Sequence, residues 1–167
     1  KSIGFIDLEK VNETSDKEHY LICSYKDPDK LGETYQHKAL KYFDLVAGIF
    51  ATKIEQLFKN GYQNVYLVTD HGFVLTGILD NSDKIEVDFK GNVKISERFI
   101  RSENKQKIDT NLLIEKEVVY NNFNYSYFAK RLGPFKSTGV YGFSHGGLSP
   151  QETIIPFLKW SNVQASQ

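Results

Sequence analysis

Three short stretches of the sequence carry residue types from which a metal or phosphate site can be built. The first is Thr69-Asp70-His71-Gly72-Phe73, which follows the continuous apolar run Val65-Tyr66-Leu67-Val68. Such a run predicts a strand covered on both faces, and open α/β sheets bind their ligands at the carboxyl ends of such strands. An aspartate and a histidine beside an apolar strand must be desolvated, which is costly unless a partner compensates. A divalent transition metal is such a partner, because carboxylate oxygen and imidazole nitrogen are both ordinary zinc ligands. Gly72 lets the chain leave sharply with no side chain crowding an ion. The competing reading is a strand-end turn in which Asp70 caps neighbouring N–H groups.

The second stretch is Phe143-Ser144-His145-Gly146-Gly147-Leu148-Ser149-Pro150-Gln151-Glu152. Ser149 with Glu152 three residues later forms a capping-box pattern, and Pro150 stands at the favoured first helical position. A short helix is therefore predicted just after the glycine pair, its N-terminal N–H groups turned towards His145 and suited to an anion such as phosphate. The glycines let the imidazole of His145 project into an open site, although a single histidine is equally a structural residue. The third stretch, Asp29-Lys30-Leu31-Gly32-Glu33, sets two carboxylates four residues apart before a helix. Both can turn to one ion, but acidic residues are favoured ahead of a helix by its dipole in any case.

The elements that must position these residues follow from periodicity. Ile3 to Asp7 and His19 to Tyr25 are short β-like runs separated by a polar, turn-prone stretch around Asn12-Glu13-Thr14. Residues 27–34 read as a loop. Leu40, Phe43, Ala47, Phe50, Ile54 and Leu57 then recur at spacings of three and four, the apolar face of a helix that Gly61 ends. Strand, helix and strand in this order predict a βαβ crossover and parallel pairing. From Asp80 to Glu117 alternation at Ile85, Val87 and Phe89, and again at Val93 and Ile95, predicts a hairpin turning at Gly91-Asn92. Asn121 to Phe128 reads as strand and loop near the surface, Gly133 to Gly147 is glycine-dense, and Ile154 to Leu158 reads as a last strand. The fold class expected is α/β, a mostly parallel sheet flanked by helices, with a β-hairpin excursion.

Composition bounds the partners. Lysine plus arginine and aspartate plus glutamate stand at 21 each in 167 residues, so a long-range basic field for nucleic acid is absent, while direct nucleic-acid binding through a local patch stays open. No apolar run approaches the roughly 20 residues that cross a bilayer, so no membrane partner is expected. One cysteine, Cys23, in an apolar run reads as a buried thiol and points to a cytoplasmic setting. The absence of methionine reads as the mark of a piece of a longer protein. His19 and His37 read as structural or surface residues, and Tyr120, Phe123, Tyr125, Tyr127 and Phe128 as packing rather than base-stacking aromatics. Nothing in the spacing of Arg98, Arg101 and Arg131 singles one out as a phosphate contact.

The runs Tyr66-Leu67-Val68-Thr69-Asp70-His71-Gly72-Phe73 and His145-Gly146-Gly147-Leu148-Ser149-Pro150-Gln151-Glu152, with the Asp29-to-Glu33 stretch ahead of them, resemble the PglZ domain family of the alkaline phosphatase superfamily. The resemblance spans residues 1–167 as the C-terminal portion of such a domain and implies an alkaline-phosphatase-like fold. It implies a two-metal site, commonly zinc with manganese as the other choice. Asp70 and His71 would hold one ion, and Asp29, Glu33 and His145 the other. Glutamate at position 33 departs from the histidine or aspartate usual there. The family's nucleophilic Ser or Thr belongs upstream of these motifs; Thr14 lacks its strand-to-helix context, so little or no activity is expected of this chain alone. The implied activity is metal-dependent hydrolysis of a phosphate ester or nucleotide, as phosphodiesterase or phosphatase, in bacterial phage-defence systems of the BREX type or in signalling proteins. Other phage-defence proteins are the implied partners. The alternative is a non-catalytic regulatory or scaffolding module that keeps the fold.

Overall fold

The computed structural model describes residues 1–12, 18–75, 81–135 and 143–163. The chain divides into two compact units, Lys1–Thr69 with Pro156–Gln167, and Asp70–Ile155. No helix among the described residues is long and apolar enough to cross a membrane.

In the first unit, β1 (Ile3–Asp7) and β2 (Tyr20–Ser24) pair in parallel, with Ile3 opposite Tyr20 and Asp7 opposite Ser24. The stretch expected to turn between them, Thr14 included, lies largely outside the described residues. Helix α1 (Asp27–Tyr35) occupies the segment read as a loop. Pro28 in its first turn and the acidic Asp27 and Asp29 beside it are helix-start signals, and they prevail over the loop-like composition. Helix α2 (Leu40–Lys59) follows, and Gly61 at φ +87° takes the left-handed position beyond it that favours glycine. Leu57 of α2 meets Leu8 and Val11 in a small core lined by Ile6, Leu21, Cys23, Phe50 and Val65. Burial pushes the Cys23 thiol pKa up.

Strand β3 (Asn64–Val68) pairs antiparallel with β10 (Phe157–Ser161), Phe157 lying opposite Val68. The expected parallel sheet flanked by helices is therefore not what forms. Among the described residues β1 with β2 is the one parallel pair, and every other pairing is antiparallel. The continuous apolar run of β3 misled because only one of its faces is covered: Val65 and Leu67 are partly buried, whereas Tyr66 and Val68 are exposed. The β1–β2 pair likewise leaves Ile3, Phe5, Tyr20 and Ile22 exposed on one face.

The second unit is built on a four-stranded antiparallel sheet, ordered β5 (Val93–Ile95), β6 (Phe99–Ser102), β8 (Phe123–Ala129), β7 (Leu113–Tyr120). Its core is Ile100, Leu113, Tyr127, Ala129 and Phe135. The chain does bend at Gly91, but β5 pairs with β6 rather than with residues 85–89. The backbone of that segment is engaged elsewhere: Ile85 N–H donates to Pro134 O at 2.8 Å, and Lys90 N–H to Gln106 Oε1 at 3.0 Å. Ile85, Val87 and Phe89 still pack their side chains on the core. The aromatic stretch forms β8, an inner strand rather than a surface one. Tyr127 there is fully buried, and its hydroxyl accepts the Gln106 N–H at 2.8 Å. Tyr127→Phe removes that acceptor while keeping the ring, and a loss of about 0.5–1.5 kcal/mol in urea unfolding is expected. Ile100→Ala opens a cavity in the same core and should cost about 2–5 kcal/mol in the same measurement.

Candidate metal centre

Two short strands of the second unit bring the histidine-bearing stretches together. β4 (Val74–Leu75) pairs antiparallel with β9 (Phe143–Ser144), Val74 lying opposite Ser144. His71 precedes β4 and His145 follows β9, so both leave the ladder at the same end. Phe73 and Phe143 stack at 4.6 Å between ring centroids beside them. The two imidazoles lie 4.2 Å apart, centroid to centroid, and within 11° of parallel. A ligating nitrogen of one is within 4.8 Å of a ligating nitrogen of the other.

His71 is held by its own neighbours. Its N–H donates to Asp70 Oδ1 at 3.1 Å, and its ring Nδ1 lies 3.0 Å from Gly72 O. A carbonyl oxygen only accepts, so this contact is a hydrogen bond in the tautomer with the proton on Nδ1, which puts the lone pair on Nε2. That is the arrangement metal-binding histidines use, one ring nitrogen fixed by a backbone carbonyl and the other presented to the ion. Asp70 Oδ1 sits 3.9 Å from Nε2, with the Asp70 side chain 90% exposed and that of His71 29%. Nitrogen and carboxylate oxygen donors side by side fit zinc or manganese chemically. Asp29 and Glu33 belong to α1 of the first unit, one helical turn apart on the same side of the helix. His19 is exposed, while the side chain of His37, like Thr14, lies outside the described residues.

The glycine-rich approach to the short helix α3 (Pro150–Thr153) has a different role from the one its composition suggests. The capping box forms, with Ser149 Oγ donating to Glu152 Oε2 at 2.7 Å and the Ser149 N–H to the same oxygen at 3.3 Å. Gly147 N–H adds a bond of 2.7 Å to Glu152 Oε1. The helix end expected to favour an external anion is thus filled by the protein's own carboxylate. Arg98, fully buried, completes the arrangement: Nε donates to Oε1 at 3.1 Å and Nη2 to Oε2 at 3.2 Å, while Nη1 serves Arg131 O and Gly133 O at 2.9 Å each. Burial alone would raise the Glu152 pKa, but the hydrogen bonds from Arg98, Ser149 and Gly147 outweigh it and hold the carboxyl below its ordinary range. The sequence marks Glu152 only as a cap and does not single Arg98 out from Arg101 and Arg131, because its spacing to the motifs carries no signal.

Gly72 is bound to the same structure. Its N–H donates to the Glu152 main-chain oxygen at 2.9 Å, and a Cβ on it would lie 2.0 Å from Gln151 O. Space, more than a sharp exit, demands glycine there. Gly72→Ala is therefore expected to destabilise the chain by about 1–3 kcal/mol or more in denaturant unfolding, since backbone must move to admit the methyl group.

The lowered Glu152 pKa sets a pH dependence. The stability it contributes is complete above the ordinary value of 4.5 and is lost as pH falls through the lower folded value. The difference in unfolding free energy between the wild type and Glu152→Gln should therefore be constant near neutrality and shrink on acidification below that value.

The chain matches the family model for the BREX system PglZ alkaline phosphatase-like domain over residues 14–160. It is 28% identical over 104 residues to a protein of Bacillus cereus (strain H3081.97) named alkaline phosphatase-like protein PglZ, an alignment covering 59% of this chain and 12% of that protein. The chain thus spans a small part of the length of that curated relative. No solved structure matches it significantly. With the Asp-His-Gly and His-Gly-Gly stretches paired in one unit and the family model covering most of the sequence, the chain belongs to the PglZ family of BREX alkaline phosphatase-like domains.

Proposed function

We propose that the chain contributes metal ligands to a phosphohydrolase site, of phosphodiesterase or phosphatase type, in a bacterial phage-defence or signalling protein. The observation that carries this reading is the pairing of His71 with His145, two imidazoles from separate segments stacked at 4.2 Å with Asp70 beside them. Asp70 and His71 are the proposed ligands of one ion, and Asp29, Glu33 and His145 of a second, with zinc as the first choice and manganese as the other. The share of carboxylate oxygens in this set, enlarged by Glu33, suits either metal. When bound, such ions polarise phosphoryl oxygens and lower the pKa of a coordinated hydroxyl or water.

The chain's own residues orient the donors. With the proton on His71 Nδ1, the contact to Gly72 O fixes that nitrogen and leaves the lone pair on Nε2, and the β4–β9 ladder sets His145 beside it. No residue of this chain is assigned as the nucleophile, so catalysis is proposed for the intact parent protein, acting on a phosphate ester or nucleotide together with other phage-defence proteins. A cytoplasmic setting is proposed with it.

Elemental analysis of the parent protein should find zinc or manganese, and hydrolysis of a generic phosphodiester such as bis(p-nitrophenyl) phosphate should stop on chelation. Asp70→Ala and His145→Ala should each lower that rate by at least the ~10–100-fold that losing even an outer-shell partner costs. A parent protein that retains no metal, and whose hydrolysis is indifferent to Asp70→Ala, would instead be the non-catalytic scaffold that the unusual Glu33 favours.

A further inference from the structure

The buried Arg98–Glu152 pair contributes no ligand, yet both histidine segments of the second unit are fastened to Glu152. On one side Gly147, two residues after His145, donates its N–H to Glu152 Oε1 at 2.7 Å. A Cβ on Gly147 would meet the two carboxylate oxygens at 2.6 and 2.7 Å and Arg98 Nη2 at 2.8 Å, so the loop lies directly against the ion pair. Gly146 between them has φ +96°, and a Cβ there would fall 2.9 Å from Cδ1 of Phe99, the neighbour of Arg98. On the other side Gly72, next to His71, donates to the main-chain oxygen of Glu152 at 2.9 Å and packs on Gln151 O.

A capping box alone asks of Glu152 only the exchange with Ser149. Here the same carboxylate also accepts from Arg98 Nε and Nη2 and from Gly147, at 3% exposure, while Arg98 at 1% spends its remaining Nη1 on two backbone carbonyls. Removing two charges from water is expensive, and an apolar pair of the same volume is often as stable or more so. The pair is therefore poorly explained as a source of stability. Its fixed fork geometry, in contrast, places Gly147 and, through the α3 backbone, Gly72 at one defined separation.

We propose that Glu152, held by Arg98, is the positioning residue of the His71–His145 pair, setting the spacing at which the two imidazoles are presented to the two proposed metal ions. The metal part rests on the function proposed above; the positioning part does not. Glu152 acts through Gly147 and Gly72, as outer-shell groups of metal sites do.

The test uses the parent protein with Glu152→Gln and Arg98→Lys, each nearly isosteric, and Tyr127→Phe as a control that loosens the same unit away from the pair. Imidazole ¹⁵N resonances of the metal-free protein at fixed pH read the ring arrangement, and competition with a chromophoric chelator reads zinc affinity. Expected are displaced His71 and His145 resonances in both pair variants, an unmoved His19 resonance, and zinc binding weakened about tenfold or more. Tyr127→Phe should lower the melting temperature and move neither readout. The proposal is overturned if the pair variants leave both resonances in place and zinc affinity within about twofold, or if Tyr127→Phe reproduces their effects. A wild-type parent protein that takes up neither zinc nor manganese defeats the metal reading, and the resonances then decide the positioning by themselves. Should Glu152→Gln fail to fold, Arg98→Lys carries both measurements.

Discussion

Glu152 accepts hydrogen bonds from two nitrogens of Arg98, from the hydroxyl and N–H of Ser149 and from the N–H of Gly147, while its main-chain oxygen receives Gly72. A carboxylate removed from water without Arg98 would carry an uncompensated charge, and breaking such a pair is strongly destabilising. The constraint is therefore collective. Each donor is locked where it stands because the others are present, and networks of this kind lose more than the sum of single deletions. Among the described residues the β4–β9 ladder comprises two residue pairs, beside the two histidines. The ion pair adds a second tie, because Gly147 and Gly72 are both bonded to Glu152.

The second unit divides its work accordingly. The four-stranded sheet, with Ile100, Leu113 and Tyr127 at its centre, provides the apolar burial. Arg98, one residue before β6, extends from that sheet into the polar cluster and also holds the carbonyls of Arg131 and Gly133. Among the described residues, this unit's candidate donors Asp70, His71 and His145 thus sit on segments outside that sheet and are tied to it through Arg98 and Glu152. Precise sites on loops depend on such support, because loops alone do not lock side-chain geometry.

What the sequence disclosed and what it concealed follow the range of the interactions. The capping box at Ser149 and Glu152, the helix stop at Gly61 and the bend at Gly91 are local, set by neighbours a few positions apart, and they were readable. Helix α1 was hidden because Pro28 and its acidic neighbours serve a loop as readily as a helix start. Strand pairing was hidden for a deeper reason. Val65 to Val68 announces a strand, but its antiparallel partner is more than half the chain away, and an apolar run does not say whether both faces will be covered. Arg98 was invisible for the same cause, its carboxylate partner lying 54 positions downstream. Of the site, the residue types at Asp70, His71 and His145 were legible; the scaffold that pairs the two histidines was not.

The glycines of these motifs carry an evolutionary consequence. Gly72 is confined by a carbonyl oxygen, Gly146 by its backbone angle and Gly147 by a buried carboxylate, and none of the three confinements involves a metal. A descendant that abandoned its chemistry would still be held to glycine at all three by these local contacts. Its freedom to drift would begin at the imidazoles and at the exposed Asp70. Genomic surveys that recognise such domains by their glycine-rich signature would therefore count extinct sites among living ones, and the histidines and aspartates are the positions at which to separate them.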